Sequence, residues 1–224
     1  MKGKKGSEVK LSVIRDRKPV SVTLNRTIVP IPTVTGKHML TKDIGYLKLT
    51  RFSENSANEV HEGLQNLLDQ GMKTLVFDLR GNPGGIMHIA EEIADEFLTK
   101  NELIVYTQDK QKRKKYIYAT NKGLFEQGKI YVLMDENSAS SSEIVAGALQ
   151  DYGRGIIVGR RSFGKGLVQR EISLGDGTKV RLTVANYYTP SGRSIQKPFD
   201  KKTAKYSDDL YKRLKSGELY SKDS

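Results

Sequence analysis

The chain has 224 residues and no cysteine, which excludes disulfide bonds, thiol catalysis and cysteine-based metal sites. It also lacks any run close to the ~20 apolar residues that a membrane-spanning helix needs. The first five residues are basic, but no apolar segment follows them as it would in an export signal. We therefore expect no membrane span and no signal peptide in this chain. The absence of cysteine does not indicate whether the protein works in an oxidising or a reducing compartment.

Histidine is scarce as well. The three histidines are His38, His61 and His88, and they do not show the spacing of metal ligands. His38 and His61 lie in polar stretches and His88 in a predicted helix, so each is more simply structural or solvated than catalytic. The sequence therefore predicts no metal and no cofactor.

Acidic residues are outnumbered, because 38 lysines and arginines accompany 26 aspartates and glutamates and give a net charge of +12. Such an excess invites comparison with nucleic-acid-binding proteins. The densest basic cluster, residues 110–115, lies between strand-like runs at 103–107 and 116–119. This arrangement is typical of a solvated hairpin tip, and no recognition-helix, zinc-finger or aromatic RNA-binding pattern accompanies it. We expect no specific nucleic-acid partner.

Strand-like and helix-like segments alternate from about residue 43 onward. The predicted strands cover residues 44–49, 72–79, 130–134 and 156–158, and the predicted helices cover residues 52–70, 86–98 and 140–150. Ser53 or Ser56 is the predicted cap of the first helix. Residues 168–174 and 179–188 are typical of an antiparallel pair. This alternation predicts a layered α/β core.

The two ends of the chain differ from this core. Residues 1–34 form a small β module, in which runs at 9–14 and 20–24 flank a turn at 15–19 and a stiff connector follows at 30–32. Residues 35–198 form the α/β core. Residues 199–224 are charged, poor in aliphatic side chains and predicted to hold at most one helix, near residues 210–214. We expect both ends to continue in a longer protein.

Ser140 opens the predicted helix 140–150, within Asn-Ser-Ala-Ser-Ser-Ser-Glu at residues 137–143. Serine followed three positions later by Glu143 spells a capping box, so one interpretation is that Ser140 only bonds the free amides of its helix. The other interpretation is a nucleophile, because amides at a helix N-terminus can face an oxyanion and the helix dipole favours negative charge. Both interpretations fit this segment.

Lys165 lies between Gly164 and Gly166, a setting that by itself is typical of a solvated loop. A serine nucleophile needs a partner that accepts its proton, and an uncharged lysine can serve. The ordinary pKa of lysine is about 10.4, so burial or a neighbouring positive charge must lower it. The flanking glycines allow other segments to approach and bury the amine. Gln169 has the donor and acceptor to hold the amine toward Ser140, and is otherwise a surface strand residue.

A glycine-rich motif, Asp-Leu-Arg-Gly-Asn-Pro-Gly-Gly at residues 78–85, ends the predicted strand 72–79. Open α/β sheets place their sites at the carboxyl ends of their strands, and glycines there can present bare amides to an oxyanion. The competing interpretation is a plain turn, for which Asn-Pro and Gly-Gly are common choices. Asp78 and Arg80 are predicted to form a local ion pair without chemistry.

With these motifs assembled, the chain resembles the C-terminal processing peptidases, also called tail-specific proteases, over about residues 44–196. The resemblance rests on residues 78–85, 138–151 and 162–169, which follow one another at the expected separations, and it continues through residues 188–193. It implies a crotonase-like α/β protease core and a serine endopeptidase that cuts peptide bonds near protein C-termini.

The same resemblance assigns residues by position. It implies that Ser140 is the nucleophile, Lys165 the general base and Gln169 the residue that orients the lysine. It also implies that the N–H groups of Gly85 and Ser141 form the oxyanion hole. Family members commonly have alanine at the position of Ser141, where only the main-chain N–H is required.

Family members usually carry a PDZ domain that captures the C-terminal carboxylate of the substrate. Residues 1–34 resemble only the last strands of such a domain, so we expect the peptide-capturing groove to be incomplete here. The resemblance implies a protein or peptide partner with a free C-terminus. It also implies a location in the bacterial cell envelope or periplasm, with the chloroplast lumen as the plant counterpart.

Two further functions compete with this one. Residues 159–165 satisfy the Gly-x-x-x-x-Gly-Lys pattern of a phosphate loop, but Gly166 stands where serine or threonine binds magnesium, and a strand pattern follows in place of a helix. A catalytically impaired fragment that acts as a peptide-binding module is the other alternative. The presence of Ser140, Lys165 and Gln169 together argues against it, since peptide binding alone needs none of them.

Overall fold

The N-terminal part of the chain folds as a β-hairpin. In the computed structural model, which describes residues 2–27, 31–198 and 207–220, the chain divides into two units, Met1–Pro32 and Thr33–Ser224. The first unit contains strands β1 (Glu8–Arg15) and β2 (Lys18–Asn25), which pair antiparallel along their whole length. Both strands were predicted.

Only Asp16 and Arg17 make the turn of this hairpin, with φ angles of 51° and 62°. Positive φ at both central residues is the type I′ geometry, which matches the twist of paired strands. The longer turn predicted at 15–19 was therefore wrong. Pro19 instead pairs with Ile14, which is possible because each strand of a two-stranded sheet is an edge.

The described part of the second unit contains nine strands and four helices. In chain order they are β3 (Val34–Met39), β4 (Ile44–Leu49), α1 (Ser56–Asp69), β5 (Thr74–Asp78), α2 (Met87–Asp95), β6 (Leu103–Asp109), β7 (Lys114–Tyr118), β8 (Lys129–Met134), α3 (Ser141–Asp151), β9 (Ile156–Gly159), β10 (Leu167–Ser173), β11 (Lys179–Tyr188) and α4 (Ser207–Lys215). Strands and helices alternate through most of the unit, and the predicted α/β fold class is confirmed.

A five-stranded sheet, in the order β3-β4-β5-β8-β9, forms one layer of the core. Strands β4, β5, β8 and β9 are parallel neighbours, and their inward side chains, including Leu47, Phe77 and Val132, are buried. The edge strand β3 pairs antiparallel with β4 and was not predicted. Its middle residues, 35–38, are polar or lack a side chain, so no apolar alternation marks it as a strand.

A second sheet is antiparallel throughout and has the order β10-β11-β6-β7. The predicted pairing of the two β-rich segments is confirmed as β10 with β11. Strands β6 and β7 form a hairpin whose tip carries the basic cluster at 110–115, as predicted. The register of β10 against β11 shifts between Val168 and Gln169.

Helix α1 begins differently from the prediction. Its N-cap is Asn55, without a side-chain capping bond. The Ser56 hydroxyl instead accepts the Ser53 N–H at 2.9 Å and donates to the Arg51 carbonyl at 3.1 Å, so these serines stabilise the turn that precedes the helix. Its apolar face is buried and includes Val60, Leu64 and Leu67.

Helix α3 lies at the centre of the second unit. All its residues from 141 to 149 are buried, among them the polar residues Ser141, Ser142 and Glu143. The helix contacts α2, β9 of the five-stranded sheet and β6 of the second sheet. Polar groups buried this deeply need hydrogen-bond partners, and those partners lie in the candidate site.

Two of the predictions fall partly outside the described residues. Pro30 of the predicted connector 30–32 lies outside them, as do residues 199–206 and 221–224 of the C-terminal segment. The helix predicted near residues 210–214 is present as α4. Of the helices within the described ranges, none has both the length and the apolar composition that crossing a bilayer requires.

Candidate active site

Three loops leave the carboxyl ends of neighbouring parallel strands and meet at one edge of the five-stranded sheet. Residues 79–86 follow β5, residues 135–140 follow β8, and residues 160–166 follow β9. This edge is where open α/β sheets place their sites. All three motifs singled out in the sequence lie in these loops or directly after them.

Asn82 joins the first loop to the second. Its buried side-chain amide donates to the Leu49 carbonyl at 2.9 Å and accepts the Gly84 N–H at 2.9 Å. Its main-chain carbonyl accepts the Ala139 N–H at 3.0 Å and the Ser142 hydroxyl at 3.0 Å. The Asn82 side chain thus anchors the glycine-rich segment to the end of β4, and the Asn82 carbonyl holds the same segment against the start of α3.

Gly84 and Gly85 allow an approach that no other residue permits. A Cβ on Gly84, whose φ is 89°, would lie 2.5 Å from the Ala139 carbonyl oxygen. A Cβ on Gly85, whose φ is 155°, would lie 1.9 Å from the carbonyl oxygen of Phe52. The Phe52 N–H donates to the Gly84 carbonyl, and the Phe52 carbonyl accepts the Ile86 N–H. The Gly85 N–H therefore takes no part in this pairing. The motif is therefore more than a plain turn.

Ser140 sits at the N-terminus of α3 with a φ of 56° and a ψ of −112°. Positive φ is uncommon outside glycine and is concentrated at functional sites. The capping-box relation to Glu143 is also present, and in its Glu143 half the carboxylate accepts the Ser140 N–H at 2.7 Å. Ser140 thus has both the capping-box contact of the first interpretation and the helix N-terminal position of the second.

Glu143 holds the loop that carries Lys165. Its side chain is buried, with only 3% exposed, and it accepts the Ser162 hydroxyl at 2.7 Å, the Gly164 N–H at 2.6 Å and the Lys165 N–H at 2.9 Å. In the sequence, Glu143 is recognisable only as a member of a capping box. That capping position was the available signal, because it places the carboxylate beside Ser140.

Tyr187 is a second residue that the sequence analysis missed. Its phenol, on β11, is 1% exposed and lies 3.1 Å from the Ser140 carbonyl oxygen, and it also bonds the Lys165 carbonyl oxygen. Burial, and then the charge of Glu143, raises the pKa of Tyr187 well above its usual value. The phenol therefore stays protonated and able to donate.

A cavity of about 500 Å³ brings the predicted residues together. Ser140, Lys165, Gln169 and Gly85 all line it. The remaining lining residues are Ile86, Met87, Ile144, Leu167, Val168, Glu171, Arg181 and Tyr187. Ser141 is buried behind Ser140 at the start of α3, with its hydroxyl 3.5 Å from the Ile86 carbonyl oxygen.

The main-chain N–H groups of Gly85 and Ser141 donate to no acceptor among the described residues. Amides at the first turn of a helix have no partner within that helix, which applies to Ser141. Gly85 is exposed and lines the cavity. Both groups are thus uncommitted within the described part of the chain, and of the two residues Gly85 lines the cavity.

The structure shows no hydrogen bond between the side chains of Ser140 and Lys165. Lys165 is half-buried. Within the described residues, its hydrogen bonds involve its main-chain N–H and carbonyl. Gln169 lines the cavity as an exposed residue of β10, without a hydrogen bond to Lys165. The burial expected for the lysine amine is therefore only partial. Catalytic hydrogen bonds are often loose in the absence of substrate and tighten in the complex.

The histidines lie away from this cavity. His61 Nδ1 is 2.7 Å from Glu96, His88 Nε2 is 4.0 Å from Glu54, and the ring of His38 packs on a tyrosine. None of the three lines the cavity. Across the described ranges, no group of three or more potential ligands from histidine, cysteine, aspartate and glutamate could hold a metal ion.

Asp78 forms the predicted ion pair with Arg80, at 2.7 Å. Its carboxylate is fully buried and also accepts the Tyr46 hydroxyl at 2.6 Å and the Arg80 N–H at 2.9 Å. Burial alone would raise the pKa of Asp78, but the hydrogen bonds from Arg80 and Tyr46 outweigh it and hold the pKa well below its usual range. The pair secures the end of β5.

The phosphate-loop alternative does not fit this geometry. Residues 159–165 are followed by strand β10, whereas a phosphate loop opens a helix whose N-terminal amides hold the phosphates. The lysine of the motif instead lines the cavity together with Ser140.

Comparison with known proteins agrees with the geometry of the site. Residues 43–203 match Peptidase family S41. The chain belongs to this family. It is 40% identical over 202 residues to the carboxy-terminal-processing protease of Bartonella bacilliformis, covering 88% of this chain and 46% of that protein. It is 36% identical over 204 residues to the carboxy-terminal processing protease CtpB of Bacillus subtilis, covering 88% of this chain and 42% of that protein.

The fold is similar to that of a solved structure, the photosystem II D1 C-terminal processing protease. The TM-score is 0.67 at 31% sequence identity, over 87% of this chain and 54% of that chain. The chain thus spans about half the length of the proteins it matches. The family match begins at residue 43, so the interpretation of residues 1–34 as the last strands of a PDZ domain stays a prediction.

Proposed function

We propose that this chain is a serine endopeptidase core that hydrolyses peptide bonds near protein C-termini through an acyl-enzyme. One observation carries the proposal: Ser140, at a strained turn opening α3, shares a cavity with Lys165, Gln169 and Gly85. Membership in Peptidase family S41 and relatives named as carboxy-terminal processing proteases support it.

In the first half of the reaction, the neutral Lys165 amine accepts the Ser140 hydroxyl proton while the serine oxygen bonds to the carbonyl carbon. The carbonyl oxygen becomes an oxyanion, which the N–H groups of Gly85 and Ser141 receive. Such donors stabilise charge that develops only in the transition state. The Lys165 ammonium then gives its proton to the leaving amine as the C–N bond breaks, and an ester on Ser140 remains.

In the second half, the neutral Lys165 amine takes a proton from a water molecule, and the oxygen of that water attacks the ester carbon. The same oxyanion hole receives the negative charge. As the ester bond breaks, Lys165 returns the proton to the Ser140 oxygen, and the new C-terminal acid leaves. The serine and the lysine end in their starting states, so the cycle is balanced.

Substrate binding supplies the burial that Lys165 lacks in the free protein. The amine lines an open cavity, and a peptide that fills this cavity displaces the water around it. Removing water disfavours the charged form of an amine. Gln169 lies at a register irregularity between Val168 and Gln169, the kind of feature that re-aims a side chain, and its proposed role is to turn its amide toward the lysine when a peptide fills the cavity.

The partner that follows from the family is a protein or peptide with a free C-terminus. The proposed location is the bacterial cell envelope or periplasm, in line with the resemblance of the sequence. One relative, 38% identical over 172 residues, is the chloroplastic carboxyl-terminal-processing peptidase 3 of Arabidopsis thaliana.

Replacing Ser140 or Lys165 with alanine tests the proposal directly. Each variant should lose ~10³-fold or more of kcat, and the double variant should fall little further, because the residues of a catalytic unit are not additive. Ser141→Ala is the matched control, since it keeps the main-chain N–H. The measurement is cleavage of fluorogenic peptides with free C-termini. Full activity in either single variant would refute the assignment, and peptide binding without any cleavage would favour the peptide-binding module.

The same assay across pH tests the lysine as base. Only an uncharged amine can accept a proton, so an amine acting as the base predicts that kcat/KM rises with pH. A profile that stays flat between about pH 6 and pH 10 would count against lysine in this role.

A further inference from the structure

Two side chains tie the main chains of Ser140 and Lys165 to each other. One carboxylate oxygen of Glu143, Oε2, accepts the N–H of Ser140 at 2.7 Å and the N–H of Lys165 at 2.9 Å. The hydroxyl of Tyr187 contacts the carbonyl oxygens of the same two residues. Each residue of the proposed dyad is therefore held at both its N–H and its C=O.

Glu143 can hold this position only as an acceptor. Its other oxygen, Oε1, accepts the Ser162 hydroxyl and the Gly164 N–H, so all four of its contacts are donors. An ionised carboxylate can accept all four, whereas a glutamine turns an NH₂ group toward two of them. A buried donor left without its acceptor costs the desolvation of that group.

Tyr187 is fixed from its own side of the cavity. Its main-chain N–H donates to the Gly166 carbonyl at 3.0 Å, which ties β11 to the residue after Lys165. Its neighbour Tyr188 points to the opposite face of the sheet and stacks on Tyr106, with ring centroids 5.0 Å apart. The two adjacent tyrosines therefore differ in whether they contact the dyad.

The loop at 160–166 has no regular secondary structure, and Ser140 is held at a φ that its side chain disfavours. A main-chain bond from the Phe163 N–H to the Ser138 carbonyl, at 3.0 Å, joins the two segments two residues before each member of the proposed dyad. At Ser140 and Lys165 themselves, the contacts between the segments come from side chains. We propose that Glu143 and Tyr187 are positioning residues that together form a main-chain bracket, which fixes the main chains of Ser140 and Lys165 relative to each other so that their side chains can meet for proton transfer. This inference rests on the proposed function.

Glu143→Gln and Tyr187→Phe test the bracket. Misplacing a reacting group by about 1 Å can cost ~10²-fold in rate, so kcat should fall by about that factor while KM changes little. Reaction of Ser140 with a fluorophosphonate ester should slow in parallel, because that probe needs the activated serine but no peptide contacts. Combining both variants should lower kcat only slightly below the poorer single variant, since both disturb one geometry.

Two matched controls separate positioning from stability. Glu59 also accepts three hydrogen bonds, from the Thr33 N–H, the Thr33 hydroxyl and the Val34 N–H, but it lies on α1 and does not line the cavity. Glu59→Gln should therefore lower the melting temperature and leave kcat unchanged. Tyr188→Phe removes the same oxygen as Tyr187→Phe from the adjacent residue and should also leave kcat unchanged.

The bracket is overturned if folded Glu143→Gln and Tyr187→Phe proteins keep the kcat of the parent while Ser140→Ala and Lys165→Ala are inactive. It is also overturned if Glu59→Gln loses kcat to the same extent. Activity in the alanine variants would instead refute the proposed function. Should Glu143→Gln fail to fold, Tyr187→Phe, which removes one oxygen, decides the question alone.

Discussion

Two buried carboxylates among the described residues are each surrounded by several hydrogen-bond donors. Asp78 and Glu143 are both buried carboxylates, and each accepts hydrogen bonds from main-chain and side-chain donors together. They differ in their surroundings, because Asp78 also pairs with Arg80 and Lys48. Asp78 therefore serves stability at the end of β5, whereas two of the four bonds that Glu143 accepts come from the residues of the proposed dyad.

Asp78→Asn should lower the free energy of unfolding by about 3 kcal/mol at pH 7, because it leaves buried donors and two cations without their acceptor. The pKa of Asp78 is lowered in the folded protein. Its contribution is therefore present above the unfolded pKa of about 3.9 and is lost as pH falls toward the lower folded value.

Urea unfolding of the parent and of Asp78→Asn at pH 7 and near pH 3 measures this contribution. The difference between the two proteins should narrow at the lower pH. A difference that is equal at both pH values would show that the charge of Asp78 contributes nothing and that only its packing matters.

Ser140 and the glycine-rich segment could be singled out from the sequence because their motifs have a local meaning, whereas the role proposed for Lys165 came from the family resemblance. Ser140 opens a helix, and the glycines of residues 78–85 mark a close approach after a strand. Tyr187 could not be singled out, because Tyr187 and Tyr188 are indistinguishable by pattern. A slip of one residue in strand register exchanges the two faces, and β11 sits next to a bulge that shifts its register against β10.

Among the elements, the loops after β5, β8 and β9 determine the site more than the strands do. The loop after β5 packs so closely on the start of α3 that a Cβ on Gly84 would lie 2.5 Å from the Ala139 oxygen and 2.8 Å from the Ser140 Cβ. Gly81, in the same loop, also has positive φ, at 72°, but nothing lies within 4 Å of its Cβ position. The two glycines form a natural test pair.

Gly81→Ala should cost ~1 kcal/mol of stability through backbone strain alone and keep its activity. Gly84→Ala should cost a further ~1–3 kcal/mol through overpacking and should lower kcat as well, since the added methyl group displaces Ser140. Thermal unfolding and peptide cleavage of both variants measure the two effects. Equal activity in the two proteins would mean that the close approach does not position Ser140.

The predicted elements that hold up best are those with strong apolar patterns. Strand β4 matches its prediction closely because its alternation reflects real burial, whereas the β10–β11 pair matches through its β-rich composition although most of its residues are exposed. Strand β3 was missed because its middle residues are polar or lack a side chain, and its pairing with β4 lies outside a local pattern. The cap of α1 was wrong because Ser56 bonds Arg51 and Ser53 of the preceding turn instead of its own helix.

At the scale of the whole molecule, the net charge of +12 predicts a weak and unspecific attraction to nucleic acid. The basic hairpin tip at 110–115 holds four lysines, whereas Arg113 pairs with Asp109 at 2.6 Å. With roughly four phosphate contacts, affinity should fall ~10²-fold between 50 and 200 mM salt. Fluorescence anisotropy with two labelled oligonucleotides of different sequence measures this. A tight complex with only one of them that survives 200 mM salt would contradict the expectation.

The candidate site draws on both sheets of the second unit. Ser140 and Gly85 follow strands of the parallel sheet, whereas Lys165 leads into β10 and Tyr187 lies on β11 of the antiparallel sheet. The sequence predicted the two groups of elements separately. The two groups of elements come together because α3 contacts strands of both sheets, and the sequence of a single segment does not show that packing.

The complete burial of residues 141–149 in α3 has a consequence for how the protein could be switched off. Amide hydrogens of this helix should exchange with solvent very slowly, whereas those of Gly164 and Lys165 are protected by their bonds to Glu143. The proposed nucleophile thus stands on a fully buried helix, and the proposed base stands on a loop that a few side-chain contacts hold. A ligand that draws residues 160–166 away from α3 would break those contacts and silence the proposed hydrolysis without melting the protein.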